Sequence, residues 1–172
     1  MATYISLLRA INVGGQKKIP MDALKKLYAS LNLKKVKTYI QSGNVVFQSP
    51  AIKEETIEKA IQKHFGFDVA VLIRTPEELK KIIAKNPFAK KDSGRIYVVF
   101  LSDVPKKIPL DKINSMRHPS EEFFISGKEI YLFYPNGYGR TKLSNTFFEK
   151  TLNVTATTRN WNTVTALMHI AE

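Results

Sequence analysis

The order of apolar patterns along residues 3–74 constrains the fold of this chain more than any other feature. Strands are predicted over 3–9, 36–40, 44–47 and 69–74, and helices over 21–31 and 54–65. A short turn containing Gly43 separates the second and third strands, so these two strands form a hairpin. The order β-α-β-β-α-β is typical of the ferredoxin-like arrangement, in which two helices cover one face of a four-stranded antiparallel sheet.

The second half of the chain repeats this plan in element order. Thr75 and Glu78 form a capping box, and Pro76 suits the first position of a helix. A helix is therefore predicted to begin here, where the second half of the chain starts. Strands are then predicted over 95–101, 122–125, 129–134 and 155–159, and helices over 111–116, 141–152 and 161–170. The sequence therefore predicts an α+β protein with two ferredoxin-like (split βαβ) subdomains, 1–75 and 76–172, packed together with antiparallel sheets.

Charge points towards anionic partners. The 172 residues carry 27 Lys or Arg and 15 Asp or Glu, giving a net charge of +12. Eight of the basic residues fall within the first 37 positions, where Asp22 is the one acidic residue. Such clustering favours nucleic acid or phosphorylated molecules as partners. The alternative is that the lysines only solvate the outer faces of helices, as pairs such as Lys25–Lys26 suggest.

The sequence shows no pattern typical of a metal site, a membrane span or a secretory signal. The chain has no cysteine, and His64, His118 and His169 lie far apart without metal-ligand spacing, so we expect no metal and no cofactor. No apolar run approaches the roughly 18 residues of a membrane span. The N-terminus lacks the pattern of a secretory signal, and we therefore expect a cytoplasmic protein that contacts no membrane.

A basic loop with two glycines, residues 9–18, joins the first strand to the first helix. In a strand–loop–helix order, backbone N–H groups and the helix N-terminus can face an anion. Arg9, Lys17 and Lys18 would add formal charge there. The loop matches neither the P-loop nor the dinucleotide-binding pattern. The alternative is that Gly14 and Gly15 only permit positive φ angles in a tight connection.

The hairpin turn offers neutral polar groups. Gln41, Ser42 and Asn44 could contact a base edge or a hydroxyl, although glycine and asparagine are also ordinary turn residues. In the idealised topology we place this turn at the end of the sheet opposite the end of the first strand. The turn would then be remote from the Gly14–Gly15 loop.

Two further polar motifs lie in the second half. Residues 136–142 form a cationic, glycine-rich approach to a helix N-terminus, or simply a hairpin exit followed by a cap. Trp161 is preceded by Arg159 and Asn160, a combination suited to stacking on a base. Alternatively, Asn160 or Asn162 caps the last helix and Trp161 fills the core.

Three segments resemble a known family. They are LLRAINVGG at 7–15, where Ala10 replaces the usual glycine, TYIQSGNVVF at 38–47 and TTRNWNT at 157–163. The chain resembles the bacterial domain-of-unknown-function family 1697. The resemblance implies a cytosolic bacterial protein with two ferredoxin-like subdomains and brings no established activity. It also implies that the polar motifs share one surface, formed by Arg9, Asn12, Gly14, Gly15, Gln41, Ser42, Gly43, Asn44, Lys142, Arg159, Asn160 and Trp161.

We therefore expect a non-enzymatic protein that binds an anionic ligand, nucleic acid (RNA or DNA) in particular. The alternative is an enzyme or sensor for a phosphorylated or nucleotide-like small molecule. A third interpretation is a homo-oligomeric structural protein whose polar motifs fix turns and caps. The candidate ligand-binding residues are Arg9, Asn12, Gly14, Gly15, Lys17, Lys18, Gln41, Ser42, Gly43, Asn44, Arg140, Lys142, Arg159, Asn160 and Trp161.

Overall fold

The computed structural model of the chain describes residues 1–40 and 42–172. The chain forms two compact units, Met1–Lys81 with Ala166–Glu172 and Ile82–Thr165, called here the first and second units. Each unit holds one four-stranded antiparallel sheet with helices, which confirms the predicted α+β class. The ranges 1–75 and 76–172 stay a prediction. No helix within the described ranges has both the length and the apolar character needed to cross a membrane.

The first unit has the ferredoxin-like strand order. Its elements are β1 (Ala2–Leu8), α1 (Met21–Ser30), β2 (Lys34–Tyr39), β3 (Asn44–Ser49), α2 (Glu54–Phe65), β4 (Val71–Arg74) and α3 (Pro76–Ala84), whose last turn enters the second unit. The sheet order is β2-β3-β1-β4, and each neighbouring pair is antiparallel. The helix-facing core contains Leu24 and Tyr28 of α1, Ile57 and Ile61 of α2 and Phe47 of β3.

The buried Tyr28 shows how this core accommodates a polar atom. Its ring lies edge-on to Phe47, and its hydroxyl is 2.7 Å from the Ser6 hydroxyl of β1. Burial raises the pKa of the Tyr28 hydroxyl above its usual value. A buried tyrosine hydroxyl needs such a partner because an unpaired polar group in the core is destabilising. The hydrogen bond therefore links α1 to the central strand.

Local signals in the sequence set the helix ends as predicted. Gly66 follows α2 with a φ of +83°, the left-handed conformation that commonly ends a helix. At the start of α3, the Glu78 amide donates to the Thr75 hydroxyl at 3.2 Å, and the Thr75 amide donates to the Glu78 carboxylate at 2.9 Å. This reciprocal pair is the predicted capping box.

The second unit repeats the same topology. Its elements are β5 (Ile96–Leu101), α4 (Leu110–Met116), β6 (Glu122–Ser126), β7 (Glu129–Phe133), α5 (Asn145–Leu152), β8 (Ala156–Asn160) and α6 (Trp161–Ala171), whose later residues belong to the first unit. The sheet order is β6-β7-β5-β8. Its core contains Val99 and Leu101 of β5, Leu132 of β7, and Phe148 and Leu152 of α5. Both predicted ferredoxin-like subdomains are thus confirmed.

The repeat extends to single hydrogen bonds at the end of the central strand. The Leu8 amide donates to the Gly43 carbonyl at 2.9 Å, and the Leu101 amide donates to the Lys128 carbonyl at 2.8 Å. On the other side, Arg9 donates to Ala70 and Ser102 donates to Thr155. The two units therefore share a strand register as well as an element order.

The position of the β2–β3 turn corrects one prediction. β1 and β2 lie on either side of β3, and both run antiparallel to it. They are therefore parallel to each other, and their C-terminal ends lie at the same end of the sheet. Leu7 pairs with Asn44, and the Leu8 amide reaches the Gly43 carbonyl. The prediction that this turn lies opposite the end of β1 is wrong. The turn instead lies where the glycine-bearing loop begins.

Close packing at Gly43 yields a first prediction. A Cβ atom there would come within 2.8 Å of the Ile11 Cδ1 and 2.9 Å of the Leu8 Cβ, at a φ of +86°. We expect Gly43→Ala to lower the free energy of unfolding by about 3 kcal/mol, from left-handed strain plus overpacking. Gly66→Ala is the matched control because Gly66 has a φ of +83° and open space around it. It should lose only about 1 kcal/mol. Equal losses in urea denaturation would contradict this account.

The backbone of Ala10 yields a second prediction. Its φ of +55° lies in the left-handed region that disfavours residues with a Cβ atom. We expect Ala10→Gly to raise the free energy of unfolding by about 0.5 kcal/mol, since relieved strain exceeds the added entropy of the unfolded chain. Ala29→Gly, at an exposed position of α1, should instead lower it by about 1 kcal/mol. Thermal denaturation measures both changes, and destabilisation by Ala10→Gly would refute the strain argument.

Candidate functional site

The loop between β1 and α1 is held closed by Asn12. The Asn12 amide side chain donates to the Ile19 carbonyl at 3.0 Å and accepts from the Ile19 amide at 2.8 Å. Its backbone amide donates to the Lys17 carbonyl at 3.1 Å. The side-chain oxygen and nitrogen of Asn12, a candidate ligand-binding residue, therefore form hydrogen bonds that hold the loop together.

Gly14 and Gly15 form the exposed tip of this loop. Both have positive φ angles, +58° and +74°, and the Gln16 amide donates to the Val13 carbonyl at 2.9 Å. A two-residue hairpin turn of this kind needs positive φ at both central positions. A Cβ atom at either glycine would meet nothing within 4 Å. The turn conformation alone thus accounts for both glycines.

The three cations of the loop have different surroundings. The Lys17 ammonium donates to the Asp68 carbonyl at 2.7 Å and so ties the loop to the segment before β4. Arg9 is half-buried at the end of β1, whereas Lys18 is exposed. Lys18 is therefore the cation of this loop that is most available to a partner.

The β2–β3 turn lies beside this loop. Asn44 is fully buried and donates from its side-chain nitrogen to the Tyr39 carbonyl and the Ser42 hydroxyl, both at 3.0 Å. Gly43 is buried against Leu8 and Ile11. Gln41 lies outside the described residues. The structure therefore brings Ser42, Gly43 and Asn44 together with the loop at one edge of the first unit.

The Trp161 motif falls at the junction of β8 and α6. The Asn160 side chain accepts from the Thr163 amide at 2.8 Å and so caps α6, while Trp161 is half-buried. Arg159 is 7% exposed and donates to the Thr157 hydroxyl at 2.7 Å. Burial lowers the pKa of the Arg159 guanidinium to about 10, so it stays charged at neutral pH. This guanidinium lies inside the protein rather than on the surface.

Register identifies a counterpart of Arg159 in the first unit. Arg74 pairs with Ile5 of β1, and Arg159 pairs with Val98 of β5. Each of these partners lies three residues before the end of its strand. Arg74 is 3% exposed, and its guanidinium donates to the preceding carbonyl, as that of Arg159 does. A buried arginine at the same place in both repeats is a structural feature of the fold.

The N-terminus of α5, which follows the 136–142 motif, uses its own donors internally. Ser144 accepts from the Phe147 amide at 3.1 Å, and the Asn145 amide donates to the Tyr138 hydroxyl at 3.1 Å. Arg140 and Lys142 are both exposed. The motif therefore offers side-chain cations rather than a bare helix N-terminus.

A cavity of about 320 Å³ opens beside this motif in the second unit. Its lining residues are Asn136 and Arg140, which follow β7, and His118 and Glu121, which precede β6. Within the described chain, no group of three or more His, Asp or Glu side chains could hold a metal ion. The cavity thus combines a carboxylate, a guanidinium, an amide and an imidazole.

Sequence reasoning missed this cavity. It found no metal-ligand spacing around His118 and did not connect this residue with Glu121. The signal was present in the hairpin, because Glu122 at the start of β6 pairs with Phe133 at the end of β7. Residues just before β6 and just after β7 must therefore meet at one edge of the sheet.

A second group of side chains, called here the lysine surface, is concentrated in residues 18–37 of the first unit. Its members are the exposed side chains Lys18, Lys25, Lys26, Lys34, Lys35 and Lys37. Lys18 precedes α1, two of the other lysines lie on α1, and the remaining three lie on β2, which is an edge strand. Residues of α1 and β2 contribute to the same hydrophobic core. No carboxylate of the described chain forms an ion pair with any of the six lysines.

The candidate residues therefore fall into two described groups. Those of the loop and turn belong to the first unit, and Arg140, Lys142, Arg159, Asn160 and Trp161 belong to the second. A single surface that joins both groups stays a prediction of the resemblance.

Comparison with known proteins gives the family but no activity. A solved structure, described as that of the conserved bacterial protein SP0830 from Streptococcus pneumoniae, is similar with a TM-score of 0.73 and 25% sequence identity. The match covers 99% of each chain. No curated protein matches this sequence. The model of a family described as protein of unknown function (DUF1697) matches residues 1–131, and the chain therefore belongs to that family.

Proposed function

We propose that the protein is a non-enzymatic binder of polyanions, nucleic acid in particular, and that the lysine surface is its contact face. The observation that carries this proposal is the concentration of six exposed, unpaired lysines within positions 18–37: Lys18, two on α1 and three on β2. Asp22 is the one acidic residue among positions 18–37. A polyanion would supply the counter-charges that the protein does not.

Physical chemistry favours phosphates as those counter-charges. Each lysine that neutralises a phosphate releases condensed counterions, so affinity falls steeply as salt concentration rises. Phosphate contacts position a nucleic acid without reading its sequence. We therefore expect binding with little sequence preference through this surface.

An edge strand offers a second reason for lysines. Charged side chains on an exposed edge prevent pairing with another sheet, and three of the six lysines lie on β2. That role explains Lys34, Lys35 and Lys37 but not Lys25 and Lys26, which lie on a helix. The experiment below separates the two roles because protection of an edge gives no affinity for nucleic acid.

The test compares two variants of equal charge. The first carries Lys25→Gln, Lys26→Gln, Lys34→Gln and Lys37→Gln; the control carries Lys106→Gln, Lys107→Gln, Lys112→Gln and Lys150→Gln, all at exposed positions of the second unit. Fluorescence anisotropy with labelled single-stranded RNA and DNA, at about 50 and 200 mM salt, gives the Kd. We expect the first variant to bind at least about tenfold more weakly and its salt slope to fall by about 3.

The control variant should retain most of the affinity. Equal weakening of both variants would mean that net charge acts without a defined surface. Absence of binding by the unsubstituted protein at the lower salt concentration would refute the proposal outright.

A further inference from the structure

The cavity beside the 136–142 motif carries an inference that is independent of the lysine surface. Its volume of about 320 Å³ falls at the small end of the roughly 300–1,000 Å³ typical of ligand pockets. Four polar side chains line it, two of them with opposite formal charges at neutral pH. The ligand that fits such a lining is small and polar.

Glu121 supplies the negative charge. The residue is 2% exposed, and its Oε1 accepts from the His118 amide at 3.0 Å. None of the described residues donates a hydrogen bond to Oε2. A nearly buried carboxylate is stabilised by a cationic or hydrogen-bonding partner. An ammonium group in the cavity would provide that partner.

Arg140 supplies the positive charge. It lines the same cavity as Glu121, yet it forms no ion pair with Glu121 or with any other described carboxylate. A guanidinium is well suited to bind a carboxylate through two parallel hydrogen bonds. Opposite charges that face one cavity without contacting each other match a ligand that carries both charges.

The remaining wall is preorganised by a compact turn. The Ser120 amide donates to the His118 Nδ1 at 3.1 Å, and the Ser120 hydroxyl lies 2.6 Å from the same nitrogen. Because a backbone amide can only donate, Nδ1 is the acceptor in the contact with the Ser120 amide. The Asn136 side chain donates to the Ser120 hydroxyl at 3.3 Å, and Arg117 donates to the Glu121 carbonyl at 2.6 Å. These contacts hold Glu121 in place from both sides of the turn.

We propose that this cavity binds a small zwitterion of the α-amino acid type, with its ammonium group on Glu121 and its carboxylate on Arg140. Asn136 and His118 contribute further hydrogen-bonding groups to the lining. The proposal joins Asn136 and Arg140 of the 136–142 motif to His118 and Glu121, which the sequence analysis did not connect with that motif.

Isothermal titration calorimetry of the full-length protein with the twenty proteinogenic amino acids tests the proposal. At least one should bind with a Kd below about 1 mM. The N-acetyl derivative and the amide of that amino acid each lose one charge, and each should bind at least about tenfold more weakly. No binding tighter than about 10 mM across the panel, or equal affinity of the N-acetyl derivative, would overturn the proposal.

Two variants assign the charges to residues. Arg140→Gln should weaken binding of the amino acid at least about tenfold, and so should Glu121→Gln. Glu122→Gln is the matched control, since Glu122 is exposed and pairs with Lys91 instead of lining this cavity. Should Glu121→Gln fail to fold, Arg140→Gln and the two derivatives still decide the matter, because Arg140 is exposed. Unchanged affinity in Arg140→Gln would refute the assignment.

Discussion

Antiparallel pairing on both sides of the central strand determines where the polar loops of each unit lie. β1 is bonded to β3 on one side and β4 on the other, and β5 is bonded in the same way to β7 and β8. The end of β1 therefore meets the turn before β3, so the Gly14–Gly15 loop and Gly43 share one edge. The same pairing logic, applied to β6 and β7, brings Glu121 to Asn136 and creates the cavity.

Much of the fold could be predicted because its signals are local. The Thr75–Glu78 capping box, the Gly66 helix end and the spacing of apolar residues each depend on a few neighbouring positions. The location of the β2–β3 turn depends on strand direction across the sheet, and the sequence analysis misjudged it. The burial of Arg159 and the meeting of His118, Glu121 and Arg140 also depend on tertiary contacts, which propensity does not encode. The same limit explains why the hydrogen bonds of Asn12 and Asn44 within their own loop and turn were not foreseen.

Two copies of one topology here carry different surface chemistry. The first unit carries six exposed lysines over positions 18–37, whereas the second places a carboxylate and a guanidinium around a small cavity that opens to solvent. A group of exposed cations suits a polyanion, and a small cavity with both charges suits a small zwitterion. The shared register places Arg74 and Arg159 at equivalent buried positions, so the two units share this interior feature while their surfaces differ.

The central claim is that the lysine surface is the contact face for nucleic acid, and residue-resolved amide NMR tests it most directly. Single-stranded RNA of about 15 nucleotides would be titrated into the isotope-labelled protein at low salt, where phosphate contacts are strongest. The account predicts that chemical-shift changes concentrate on Lys18, on α1 and on β2. Changes spread evenly over exposed lysines of both units, or confined to the second unit, would contradict it.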